Sequence, residues 1–168
     1  MAEVFRHEEE ILEVRADWLD RLKRAAAESP LHRARLCLHL STDDTVQEML
    51  IAICRNLLFQ PHRHLRKTES FHIIEGDLYV LIFDDRGEVI RAIHMGPPGS
   101  GRVFCYRLNA SRYHAILPRS PFVVFHETTA GPFRTNEAQF APWAPADEDA
   151  LRDFLEGKLT AELRKTGL

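Results

Sequence analysis

Between residues 34 and 128 the chain is written in short segments of hydrophobic period two, and that pattern limits what it can fold into. ARLCLHLS (34–41), FHIIEGDLYVLIFDD (71–85), GEVIRAIHM (87–95), RVFCYRLN (102–109), YHAILP (113–118) and PFVVFHET (121–128) are the strand candidates. Successive side chains on a strand point to opposite faces, so such alternation reads as extended chain. Turn signals separate the segments: Glu75-Gly76-Asp77, Asp84-Asp85-Arg86-Gly87 and the run GPPGSG over 96–101. The Asp85-Arg86-Gly87 stretch between two apolar runs predicts a hairpin. Residues 42–54 fit either a helix capped from Ser41-Thr-Asp-Asp44 or a strand leading to Arg55-Asn56; we read a strand. Many short strands with close turns predict an antiparallel sandwich or barrel.

Helical periodicity is confined to the ends. Residues 8–28 place Ile11, Leu12, Trp18, Leu19 and Leu22 on one stripe, with Ser29-Pro30 as the stop. Asp147 can cap a second helix with an apolar face of Leu151, Phe154, Leu155, Leu159 and Leu163. Both stripes are expected to pack on the barrel or on a second subunit. At 168 residues the chain suits one domain. It divides into an N-terminal helical extension (1–30), a β-barrel (31–146) and a C-terminal helix (147–168).

Charge narrows the function. A formal net charge of −3 with scattered Lys and Arg leaves no footprint for nucleic acid. No apolar run approaches the roughly 20 residues of a membrane helix, and MAEVFRHEEE lacks the pattern of a signal peptide. Cys37, Cys54 and Cys105 form no CxxC pair and are expected as buried thiols in a reducing compartment, which predicts a cytoplasmic protein.

The chemistry lies in PHRHLRKTESFHIIEG, residues 61–76. His62 and His64 are two apart and share a strand face, and Glu69 follows after a four-residue turn. Two imidazoles and a carboxylate converging in this way match the facial set that a six-coordinate iron or manganese accepts. His114, at the start of a later strand, would add a fourth ligand. Neutral imidazoles, each tied through its second ring nitrogen, are what such a site requires.

The segment Asn56-x5-His62-x-His64-x4-Glu69-x6-Gly76 resembles the first sequence motif of the cupin superfamily, G-x5-H-x-H-x(3,4)-E-x6-G. Only the first Gly is replaced, by Asn, which tolerates a left-handed turn. The second motif, G-x5-P-x-G-x2-H-x3-N, is matched at His114, with Val103, Asn109, Ser111 and Pro118 in its other places. A narrower resemblance, over roughly residues 33–146, is to the WbuC-type cupin-fold metalloproteins, which occur with O-antigen and other surface-polysaccharide genes. It rests on RARLCLHLSTDDTVQEMLIAI, PHRHLRKTESFHIIEG, VVFHETTAGPF and FAPWAP. These resemblances imply an all-β fold, a double-stranded β-helix or jelly-roll barrel with flanking helices. They also imply one divalent transition metal ion (Fe, Mn, Ni or Zn) on His62, His64, Glu69 and His114.

Phe71 and Ile73 share the parity of Glu69 and are expected to line the pocket, with His72 on the outer face. His126 is the candidate general acid/base if Phe122, Val124 and His126 form the inward face of their strand; Glu127 would then point outward. Arg63 and Lys67 read as surface charges, and Trp143 as an anchor for the C-terminal segment. The function expected is a metal-dependent enzyme, an isomerase, epimerase or dioxygenase, on a small oxygen-rich substrate. A sugar or sugar nucleotide of surface-polysaccharide biosynthesis fits that description. The alternatives are a non-catalytic ligand-binding or sensor protein, and a metal-free sugar epimerase. The helix stripes and an exposed barrel edge predict a homodimer.

Overall fold

The computed structural model describes residues 3–134 and 137–167. In chain order the elements are β1 (Glu3–Phe5), α1 (Asp17–Glu28), β2 (Arg33–Cys37), β3 (Val46–Cys54), β4 (His62–His64), β5 (Glu69–Glu75) and β6 (Leu78–Phe83). There follow β7 (Val89–Met95), β8 (Cys105–Leu108), β9 (Tyr113–Pro118), β10 (Phe122–Ala130), β11 (Ala138–Phe140) and α2 (Glu148–Thr166). The strands make two sheets, one in the order β1-β2-β3-β10-β5-β8 and the other β11-β4-β9-β6-β7. All their pairings are antiparallel except β1 with β2.

Period two explains the layering. Met49, Ile51 and Ile53 of β3, Phe71 and Ile73 of β5, and Val123 and Phe125 of β10 meet Leu78, Val80 and Ile82 of β6 and Ile116 of β9 in one cluster. That cluster lies between the sheets. The alternate residues face the helices: Ala34, Leu36, Leu50, Ala52 and Val124 pack with Leu22 and Ala26 of α1. Leu81, Phe83, Tyr113, Ala115 and Leu117 pack with Leu151, Leu155 and Leu159 of α2. Both helix stripes are thus covered within the chain. Asp147 caps α2 by accepting from the Ala150 N–H at 2.9 Å. Trp143 sits between this sheet and α2, its ring 5.1 Å from Phe83 and 5.9 Å from Phe154.

Several expectations are corrected. Residues 42–54 do contain a strand, β3, but the first helix begins at Asp17 rather than at residue 8, and Ile11 is exposed. Ile11 therefore contributes nothing to the helix stripe. Cys105 is exposed, whereas Cys37 and Cys54 are buried and free. Among the described residues the one left-handed non-glycine is His32, so Asn56 does not use the conformation foreseen for it. Its side chain instead meets His32 Nε2 at 3.0 Å.

Gly76 closes the turn between β5 and β6 at φ 74°, and a Cβ there would lie 2.2 Å from the Phe122 carbonyl oxygen. Any L-residue is strained at that φ, and the clash is with backbone that cannot swing aside. Gly76→Ala should cost at least about 1–3 kcal/mol, and Leu155→Ala, emptying a buried site under α2, about 2–5 kcal/mol. Denaturant midpoints at constant m-value check both.

Candidate metal centre

β4 and β9 are adjacent and pair at His62 opposite His114. Parity then turns His62, His64 and His114 to the inner face. Arg63 goes outward, over the Tyr113 ring and onto Asp85 at 2.9 Å. Each of the three histidines offers a ligand atom within 4.8 Å of those of the other two. Their ring centroids are 5.2, 4.6 and 5.9 Å apart. After β4 the chain crosses to the other sheet, where Glu69 opens β5 on the inner face. Its carboxylate stands beside this set, with Oε1 2.9 Å from His114 Nε2 and Oε2 3.6 Å from His64 Nε2. Tyr106 O–H donates to Glu69 Oε1 at 3.1 Å.

The second ring nitrogens fix the tautomers. His62 Nδ1 lies 3.1 Å from the Gln60 carbonyl and His114 Nδ1 3.1 Å from that of Arg112. Carbonyls only accept, so both Nδ1 atoms donate, which turns each Nε2 to the site; that of His62 is the atom left for a ligand bond, and that of His114 meets Glu69 Oε1, a contact a bound ion would replace. His64 Nδ1 is buried without a partner among the described residues. Burial, and then the neighbouring His114, lower the His62 pKa to about 4; burial also lowers that of His64. Burial is the largest influence on Glu69 and His114 too and opposes their charged forms, but their mutual hydrogen bond and the neighbouring charges together outweigh it, holding the carboxyl low and the imidazole high. Two imidazoles already neutral, a third hydrogen-bonded to a carboxylate, and fixed tautomers form a donor set that fits a divalent transition metal.

A cavity of about 190 Å³ opens beside this set. Phe59, Ile51, Phe71, Phe125 and Ile116 make its apolar wall; Arg33, Arg35 and Glu127 are its polar lining on the facing sheet. Phe71 lies where parity put it, whereas Ile73 is buried in the core and does not line the cavity. The His126 expectation is corrected. Val123, Phe125 and Glu127 form the inner face of β10, and His126 points to the other side, with Nε2 3.6 Å from Glu48. Glu127, expected outside, lines the cavity. Burial and the charge of Glu69 push its carboxyl up to about 8. His72 is exposed, as its parity implied.

Comparison with known proteins adds fold. Residues 14–95 match a family described as Domain of unknown function (DUF6016), a stretch that holds His62, His64 and Glu69. No curated protein matches the chain by sequence. Among solved structures it is similar to protein SO0799 from Shewanella oneidensis, with a TM-score of 0.55 at 10% identity, over 76% of this chain and 83% of that one. Procruciferin, an 11S globulin from Brassica napus, gives a TM-score of 0.50 at 12% identity over 66% of this chain and 27% of its own. The capsular polysaccharide assembling protein CapF from Staphylococcus aureus gives 0.50 at 15% identity over 64% of this chain and 28% of its own. The chain has the cupin fold that these neighbours include.

The Glu127 carboxyl sets a pH test for the metal-free protein. The folded state keeps its proton up to about 8, while an ordinary carboxyl releases it near 4.5. The folded chain therefore holds more protons than the unfolded one in that window, and stability falls as pH rises through it. Thermal unfolding of chelator-treated protein from mildly acidic to mildly alkaline pH should show this decline. In Glu127→Gln, which cannot ionise, the decline should be flattened.

Proposed function

We propose that the chain is a metal-dependent enzyme acting on a small, oxygen-rich substrate, with one divalent transition metal held by His62, His64, His114 and Glu69. The observation that carries the reading is the placement of an acid/base group opposite the imidazole set: Glu127 faces it across the cavity from the other sheet. An ion in that set supplies Lewis-acid polarisation of a substrate oxygen or, where it is iron, redox chemistry. The chain's own residues do the rest. His62 and His64 stay neutral at physiological pH, and the carbonyls of Gln60 and Arg112 keep the His62 and His114 rings oriented. Glu127, with its carboxyl poised near neutrality, gives a proton to the substrate or takes one from it. Phe71, Phe125 and Ile51 exclude water from the same space.

The outward turn of His126 would by itself favour a binding or sensor protein, since it removes the acid/base group foreseen from the sequence. Glu127 fills that place, and the enzyme reading stands on it. We further propose that the substrate belongs to surface-polysaccharide assembly. The resemblance to WbuC-type proteins and the fold likeness to CapF, a capsular polysaccharide assembling protein, support this. The buried free thiols of Cys37 and Cys54 support a cytoplasmic location. No described helix is long and apolar enough to cross a membrane.

Elemental analysis of the purified protein beside His62→Ala and Glu69→Ala tests the centre. About one equivalent of a transition metal in the parent, lost in both variants while circular dichroism shows them folded, is the expected result. No metal after reconstitution with iron, manganese, nickel or zinc overturns the reading.

A further inference from the structure

β2 reads Arg-Ala-Arg-Leu-Cys, and its alternation is the reverse of the usual pattern, in which the apolar set faces the other sheet and the charged set faces out. Ala34 and Leu36 face α1, and Arg33 and Arg35 point into the space between the sheets. Two like charges two residues apart on an inner sheet face are costly unless something anionic answers them. Among the described residues neither guanidinium has a carboxylate oxygen within ion-pair distance. Arg35 Nε is buried with no partner, and its Nη1 reaches only Met49 Sδ at 3.9 Å. Arg33 lies over the Phe59 ring, 5.2 Å from the centroid. Burial, and then the charge of Arg35, lower its pKa.

Their position suits a ligand. Both arginines, with Glu127 and His64, line the inner cavity and also a second recess of about 370 Å³ that continues from it. Arg6, Lys67 and Arg134 line the outer recess as well. Lys67 is already paired with Glu137, and Arg134 with Asp43 at 3.0 Å. Among the described residues the strong cations of this lining without a counter-charge are therefore Arg6, Arg33 and Arg35, and of these only Arg33 and Arg35 also line the inner cavity, at the neck between the imidazole set and the outer recess. A guanidinium presents a planar fork of donors that matches carboxylate and phosphate oxygens two at a time.

We propose that Arg33 and Arg35 form an anion-binding clamp, so that the molecule taken by this cavity carries a carboxylate or phosphate group held at the neck while its reacting oxygen reaches the imidazole set. The inference deepens the metal-enzyme reading, since it names the charge class of the substrate of that same site. Glu127 lines the same cavity without an ion pair to either guanidinium, which leaves both forks open to a ligand.

Isothermal titration calorimetry with inorganic phosphate and with malonate, on chelator-treated and on metal-reconstituted protein, tests it. The expected result is saturable binding of at least one probe to the parent. Arg33→Met and Arg35→Met should weaken it by at least about tenfold, with metal content and circular dichroism unchanged, while Arg134→Met has little effect. Phosphate binding alone assigns a phosphate ester, and malonate binding alone a carboxylate. Should the methionine variants fail to fold, phenylglyoxal labelling of the parent reads the same question. The bound probe should protect Arg33 and Arg35 from modification, as seen by peptide mass spectrometry. No binding of either probe, or binding and labelling indifferent to these arginines, overturns the clamp. Metal content measured on the same samples separates that outcome from failure of the metal centre, because anion binding is also read on metal-free protein.

Discussion

The structure depends on each sheet having both of its faces covered. One face of each meets the other sheet, and the opposite face meets a helix, α1 on the sheet of β3 and β10, α2 on the sheet of β6 and β9. Burial of apolar surface is the favourable term that makes such a stack stable. It also fixes register, because sliding a strand by one residue would exchange its inner and outer sets. The polar residues on the inner faces have no freedom to turn out to water. His62, His64, His114, Glu69, Glu127, Arg33 and Arg35 are there because their neighbours in sequence are anchored on the other side.

That enforced desolvation gives the centre its character. In water an imidazole is easily protonated near neutrality; between the sheets, burial removes the proton from His62 and His64 without any ligand being invoked. For His114 the balance goes the other way, because Glu69 within hydrogen-bond distance supports its charged form. Backbone carbonyls hold two of the rings from behind, so ligand geometry is set by strand positions rather than by flexible side chains. Sites supported in this way lose little to reorganisation when they bind.

Much of this is legible in the sequence; the exceptions are strands too short to show a period or in which alternation does not say which face is inner. The spacing of His62, His64 and Glu69, and the place of His114, could be read because period two acts within a strand and a short turn. β4 and β11, at three residues each, are too short to show a period, and their places follow only from their neighbours. The inward face of β10 is ambiguous in the sequence because both of its faces are apolar. Phe122 and Val124 pack toward α1, and Val123 and Phe125 toward the other sheet, so alternation alone cannot say which face carries the chemistry. Choosing the set of Phe122 and Val124 put His126 inside and Glu127 outside, the reverse of the structure. Arg33 and Arg35 are hidden for the mirror reason: charged residues alternating with apolar ones have the pattern of a solvated face, and here that face is the inner one. The signal that could have found them was α1 itself, since a helix covering Ala34 and Leu36 leaves the arginines no other direction.

The charges across the cavity are ordered rather than scattered, and that order bears on how the site works. Glu69 of β5 stands beside the imidazoles, Glu127 lies on the adjacent strand β10 of the same sheet, and the two arginines lie beyond it on β2. Burial and the charge of Glu69 raise the Glu127 carboxyl, while Arg35 and His114 pull it back. A cation held at Glu69 would offset the first of those charges, and an anion held at the arginines would offset the second. Glu127 would thus sit between two opposing influences, one from an ion at the imidazole set and one from an anion at the arginines, were both proposals to hold. A bound anion favours the protonated form and a bound cation the ionised one, so the group is suited to give up its proton or take one as the occupants change.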